Sequence, residues 1–290
     1  MKKIFAKLKS EPLWATFIAT SLIVLGIITL QGIIGFIGTS QMDYQLFFWF
    51  LIAGFIAQII DGALGMAYGV SSNSILLGLG IPPATASAWV HFAQTFTCMA
   101  SGLSHLKLGN VDWNLAKRLI LPGVGGAVIG SYFLSNIDGK AVKPFIALYL
   151  LVMGVNILIK TIKKQKKEFN GREKTIPYLA AIGGFADAIG GGGWGPIVNS
   201  SLMGKGQKPR FAIGTGNFSE FFVSLASAST FIFFMEELSL APVLGLILGG
   251  VVAAPFAAIV CKKVKPEILL IIVGILIIGL SIRTFYLTIT

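Results

Sequence analysis

DGALGMAYGVSSNS, from Asp61 to Ser74, and DAIGGGGWGPIVNS, from Asp187 to Ser200, are two copies of one stretch. A shift of 126 positions carries Asp61 onto Asp187, Gly65 onto Gly191, Tyr68 onto Trp194 and Asn73 onto Asn199. The correspondence runs on without a gap through Gly80/Gly206, Pro83/Pro209, Phe92/Phe218 and Phe96/Phe222. Each copy sets one carboxylate and a run of glycines inside apolar sequence. Lipid cannot satisfy unpaired backbone, so such a break must be buried in protein or line a cavity. Two breaks at matching places in two halves are the sequence pointer to a transporter's binding site.

The whole chain fits that setting. Of its 290 residues 55% are hydrophobic and only 12% charged, with a mean hydropathy of +0.83. A soluble domain carries roughly twice that share of charge, so we expect an all-α integral membrane protein. The first apolar run is too long for a secretory leader and has no small-residue cleavage site. Cys98 and Cys261 form no CxxC and suggest no disulfide. The net charge of +11 sits in short loops between apolar segments. That is the pattern of the positive-inside rule and gives no reason to expect nucleic acid.

Taken in order, residues 1–43 are expected to form one N-terminal span, uncharged from Pro12 to Met42 and cytoplasmic at its lysine-rich start. Residues 44–160 form a first repeat: a broken pair of short helices, about 45–60 and 66–80, then three spans at about 84–106, 115–136 and 142–160. Residues 161–175 form a basic cytoplasmic linker. Residues 176–290 repeat the plan, with short helices at about 176–188 and 194–204 and spans at about 210–235, 239–261 and 266–288. Basic residues flank the second broken pair on both sides: the linker before it, Lys205, Lys208 and Arg210 after it. That pair is therefore expected to be re-entrant. Three crossings per half then make the two repeats inverted in topology. Lys140 and Lys143 fall on the wrong side of this scheme.

Three carboxylates lie away from the loops: Asp61, Asp187 and Glu220. A membrane carboxylate is costly and needs a reason. Asp61 and Asp187 can cap the short helix that follows each break. All three can instead serve proton or ion coupling, because burial disfavours the charged form of a carboxylate and lets it exchange a proton near neutrality. Under the same shift His91 matches Asn217, Gln94 matches Glu220, Cys98 matches Ser224 and Ser101 matches Ser227. The spacing i, i+3, i+7, i+10 puts each set on one helix face. The glycines admit two readings, close packing or a nest of N–H groups for an anion. The helices starting near Met66 and Trp194 would aim their positive ends at such an anion. The candidate substrate-binding residues are Gly65, Gly69, Ser72, Asn73, His91, Gln94, Gly191, Gly192, Gly193, Trp194, Asn199 and Asn217. No cofactor is implied, and few carboxylates among many glycines argue against a divalent metal.

The glycine-rich hairpins Gly54–Gly80 and Gly183–Gly206 carry a resemblance. So do the Pro83 and Pro209 helices, with His91-Phe92 and Asn217-Phe218, and the basic central loop. At these residues, and over nearly the whole chain after the first helix, the sequence resembles the sulfite exporter TauE/SafE (TSUP) family of membrane permeases. The resemblance implies secondary transport of a sulfur-containing anion such as sulfite, thiosulfate or a sulfonate across the cell (inner) membrane. The expected partners are that small anion, the lipid bilayer and a coupling proton or sodium ion, with a homodimer as one option. A passive anion channel and a cation carrier using the membrane carboxylates are the alternatives. A membrane enzyme is disfavoured, since no carboxylate and histidine are close in sequence.

Overall fold

The computed structural model describes residues 44–64, 66–162, 173–235, 240–263 and 266–289. The N-terminal span expected within 1–43, Gly65, the middle of the basic linker and the acidic turn at Glu236-Glu237 lie outside the described residues. Among the described residues all regular structure is helical: α1 (Tyr44–Leu64), α2 (Tyr68–Gly78), α3 (Pro83–Lys107), α4 (Trp113–Ser135), α5 (Gly139–Ile162), α6 (Thr175–Gly190), a π-helical turn (Trp194–Asn199) running into α7 (Ser200–Gly204), α8 (Pro209–Phe234), α9 (Leu240–Lys263) and α10 (Pro266–Ile289).

Local chemistry explains the boundaries. Pro83 and Pro209 occupy the first helical positions of α3 and α8, where a missing N–H costs nothing. The Asp112 side chain caps α4, accepting from the N–H of Asn114 at 3.0 Å and of Leu115 at 3.2 Å. The chain leaves α2 through Gly80 at φ +90° and leaves α7 through Gly206 at φ +95°. Only glycine enters this region freely. The hydrogen bonds of the two turns also correspond: Ile81 N–H to Leu76 O in one, Gln207 N–H to Leu202 O in the other.

Among the described residues three helices are long and apolar enough to cross a membrane: Trp113–Ser135, Gly139–Ile159 and Pro209–Phe234. Phe47–Ile59, Pro242–Ala253 and Gly274–Thr288 are shorter apolar helical stretches. The sequence reading counts α3 as a full span as well. It has 25 residues, but the buried polar side chains Ser87, His91, Gln94 and Thr95 dilute its apolar character.

Helix packing crosses between the halves. α1 packs chiefly on α9, and α6 on α4. Phe47 lies against Gly245, Leu51 and Phe55 against Gly249, and Gln58 against Gly250, so α1 and α9 run parallel. Glycine makes this approach possible: a Cβ on Gly126 or Gly249 would collide with the backbone of Ala181 or Leu51 respectively. α3 packs on α8 in the opposite sense, with Gly102 at Phe218, Gln94 at Glu220 and His91 at Phe231. α5 and α10 are likewise antiparallel, with Gly154 at Ile278 and Leu158 at Gly274. The two ends of the α6–α7 hairpin meet: Lys205 Nζ lies 2.6 Å from Glu173 Oε2. A core cluster that includes Leu119, Ile176, Ala180, Trp194, Leu202 and Val223 ties α4, α6, the π turn, α7 and α8 together.

Candidate functional site

The two breaks pack directly on each other. A Cβ on Gly192 would strike the backbone of Gly69 and Val70, and one on Gly195 would strike Met66. These glycines are therefore required for backbone-to-backbone contact, as the packing reading anticipates. Gly191 ends α6 in the left-handed region at φ +64°, with the Asn73 amide against it.

Each break is spanned by its aspartate. Asp61 Oδ1 accepts from the N–H of Ala67 at 2.9 Å and of Tyr68 at 3.2 Å. Asp187 Oδ1 accepts from the equivalent groups, Gly193 N–H at 2.6 Å and Trp194 N–H at 2.9 Å. A carboxylate reaching from the end of one helix satisfies orphan donors at the start of the next.

The second oxygen separates the two aspartates. Asp187 Oδ2 lies 3.1 Å from Nε2 of His91, and both side chains are fully buried. His91 Nδ1 lies 2.8 Å from the carbonyl oxygen of Ser87, which only accepts. The Ser87 hydroxyl donates to Ala188 O and so presents a lone pair to the same nitrogen at 3.2 Å. Nδ1 therefore carries a proton, and one further proton lies between Nε2 and Oδ2. Whichever atom holds it, the pair has no net charge.

Between the breaks lies a small cavity, with about 10 Å³ of room for the centre of a water-sized sphere, enough for about one water molecule. Asp61, Asp187, Gln94 and Glu220 line it, with Met66–Val70, Gly192, Gly193, Gly195 and Pro196. Most of these residues come in equivalents from the two halves: Asp61 with Asp187, Ala67 with Gly193, Gly69 with Gly195, Val70 with Pro196, Gln94 with Glu220. No lysine or arginine is among them. Gln94 Nε2 donates to Glu220 Oε1 at 3.1 Å, while Gln94 Oε1 is buried with no partner among the described residues. The N–H groups of Gly69, Val70 and Gly195 border the cavity and have no backbone acceptor among the described residues.

Of the residues singled out from sequence, Asp61, Gly69, Gln94, Asp187, Gly192, Gly193 and Glu220 thus meet at one cavity. The other described ones lie outside its lining. Asn73 Nδ2 donates to Gly190 O and ties α2 to α6. Ser72 is buried in α2. Asn199 lies against Gly216, and Asn217 donates to Ser101 Oγ at 2.8 Å. Trp194 faces away: its ring packs on Gly123 and its Nε1–H donates to Gly216 O at 3.1 Å. Tyr149, absent from the sequence reading, packs its ring on Gly190 and donates to Gly192 O at 3.3 Å. Its sequence signal is a hydroxyl within a largely apolar span.

Comparison with known proteins bears on this site as a whole. The family described as sulfite exporter TauE/SafE matches residues 50–284. "Probable membrane transporter protein YtnM" of Bacillus subtilis (strain 168) is 43% identical over 244 residues, 81% of each chain. "Sulfite exporter TauE/SafE family protein 3" of Arabidopsis thaliana is 26% identical over 151 residues, 49% of this chain and 32% of the relative. No solved structure matches. With the family match spanning both breaks and every helix that frames the cavity, the chain belongs to the sulfite exporter TauE/SafE family of membrane transporters.

Proposed function

We propose that the protein is a secondary transporter of a small sulfur-containing oxyanion, working by alternating access around the cavity between its two breaks. The observation that carries this reading is the lining of the cavity by equivalent residues from both halves. A residue touches its own equivalent only on the two-fold axis relating two repeats, and Gln94 hydrogen-bonds its equivalent Glu220. Corresponding helices α3 and α8 run antiparallel, as do α5 and α10, which favours inverted repeats. The meeting of Glu173 with Lys205 favours a re-entrant second hairpin. With the linker and the chain start on the cytoplasmic side, a site on the axis faces either side of the membrane through the same chemistry.

The family description and the plant relative's name supply the substrate class. N–H groups of Gly69, Val70 and Gly195 with no backbone acceptor among the described residues, at or near helix starts, supply donors for an oxyanion. Three carboxylates beside them supply a reason for a coupling proton or sodium ion. No lysine or arginine is among the described residues that line the cavity, which also favours one second reading, a cation carrier.

Uptake of labelled sulfite, thiosulfate and a small sulfonate into proteoliposomes tests the proposal, with and without an imposed pH gradient. Saturable uptake of one anion supports a carrier. Flux that rises linearly with concentration and ignores every ion gradient would replace it with a channel. No anion uptake, with sodium or potassium movement instead, would leave the cation carrier.

A further inference from the structure

We infer that the transported anion and its coupling proton occupy the same cavity, and that Gln94 positions the proton on Glu220. The inference rests on the transport reading above and deepens it.

An anion cannot share a small cavity with an ionised glutamate at little cost, because like charges repel strongly outside bulk water. The charged and titratable groups around Glu220 are Asp61 from α1, Tyr68 from α2, Cys98 and His91 from α3, and Asp187 from α6. Asp187 is already matched by His91, so that pair contributes no net charge. Asp61 is held by two N–H groups at the break. Among the described residues Glu220 accepts one amide hydrogen bond, from Gln94, where Asp61 accepts two N–H bonds. It is the carboxyl group whose charge the cavity offsets least.

The geometry also says which oxygen takes the proton. Gln94 Nε2–H donates to Oε1, and an acid oxygen bearing hydrogen makes a poor acceptor. The amide therefore holds Oε1 as the carbonyl oxygen and leaves Oε2 for the O–H. That O–H is a donor within the cavity, adding to the N–H groups of Gly69, Val70 and Gly195. One cycle then takes one proton onto Oε2 with one anion and returns both to water on the other side.

Gln94 and Glu220 are equivalents in contact. Exchanging them keeps one carboxyl and one amide at the same place and presents them to equivalent surroundings. The place on the axis, rather than the helix that carries the acid, is what matters.

The test uses the full chain in sodium-free proteoliposomes clamped at zero membrane potential, with methanesulfonate, sulfite and thiosulfate as probes and a pH dye inside. A monovalent anion that travels with one proton accumulates about tenfold per unit of pH gradient. Wild type should reach about that ratio for methanesulfonate, with acidification of the lumen. Glu220→Gln should give no accumulation. The exchange variant Gln94→Glu/Glu220→Gln should accumulate the anion again. Gln94→Leu should move the pH midpoint of uptake, which a merely structural side chain would not do.

An exchange variant that melts like wild type yet never accumulates the anion overturns the claim about the axis. If that variant does not fold, the wild-type proton count decides. Anion uptake without lumenal acidification, or uptake that follows sodium, overturns the shared cavity while leaving transport standing. Entry of none of the three anions removes the transport reading and this proposal with it.

Discussion

Replacing Asp187 should destabilise the protein more than the equivalent change at Asp61, and the excess should come from His91. Both aspartates cap a break through one oxygen with two N–H groups. Loss of such a cap costs about 1 kcal/mol, within a range of roughly 0.5–2. Asp61→Ala should therefore cost about 1–2 kcal/mol. Asp187→Ala also strips a fully buried histidine of its partner 3.1 Å away. Removing one member of a buried pair costs about 3–5 kcal/mol. With the lost cap added, Asp187→Ala should cost about 4–7 kcal/mol; at roughly 2–4 °C per kcal/mol, the apparent melting temperature should fall by about 8–28 °C for Asp187→Ala and about 2–8 °C for Asp61→Ala. Asp187→Asn gives the decisive contrast. Its Oδ1 still accepts from Gly193 and Trp194, and its Nδ2–H can donate to the Nε2 lone pair of neutral His91. Asp187→Asn should therefore melt within a few degrees of wild type. Melting in detergent at one fixed scan rate, followed by exposure of the buried Cys98 thiol, reads all three variants. Equal losses for Asp61→Ala and Asp187→Ala, or an Asp187→Asn as unstable as the alanine variant, would refute the assignment of protons around His91.

Gly192→Ala puts a methyl into the backbone of Gly69 and Val70 and should cost about 1–3 kcal/mol or more; a melting temperature and transport rate both close to wild type would mean the breaks do not pack as described. Glu220→Gln should leave folding intact and abolish the pH dependence of flux, read by uptake at several external pH values; full retention of that dependence removes Glu220 from the coupling role. Lys205→Gln breaks an ion pair that is about one-third exposed on both partners, so its effect on stability should stay below about 1 kcal/mol, checked by melting at low and high salt.

Much of this architecture is legible in the sequence because the repeat is exact in spacing. The shared shift locates both breaks, the aspartate at each and the paired turns at Gly80 and Gly206. The helix ends follow from Pro83, Pro209 and the glycines, and fall within a few residues of the expected bounds. What a repeat cannot reveal is which equivalents touch. Gln94 meets its equivalent Glu220 where α3 crosses α8, and Asp187 meets His91 where α3 meets α6, both long-range facts. Trp194 and Tyr68 hold matching positions, yet the Trp194 ring turns into the α4–α6–α8 core while Tyr68 lines the cavity. The π turn at Trp194–Asn199 and the hydroxyl contact of Tyr149 leave no periodic trace either.

The crossed packing of α1 on α9 has a consequence for how the chain is made. Gly54 has no room for a Cβ because the backbone of Leu246 lies against it, and Leu246 is translated long after α1 has left the ribosome. At roughly 5–20 residues per second, α1 waits about ten seconds or more for its docking partner. During that interval its close-packing face of small residues, Gly54 among them, is exposed to lipid or to other nascent chains. α6 has no such wait, since its partner α4 precedes it. Biogenesis is therefore asymmetric in a protein whose halves match. A helper that shields unpaired helices in the membrane would be needed chiefly by the first hairpin, and arrest of synthesis before α9 would leave that hairpin as the segment first open to quality-control proteolysis.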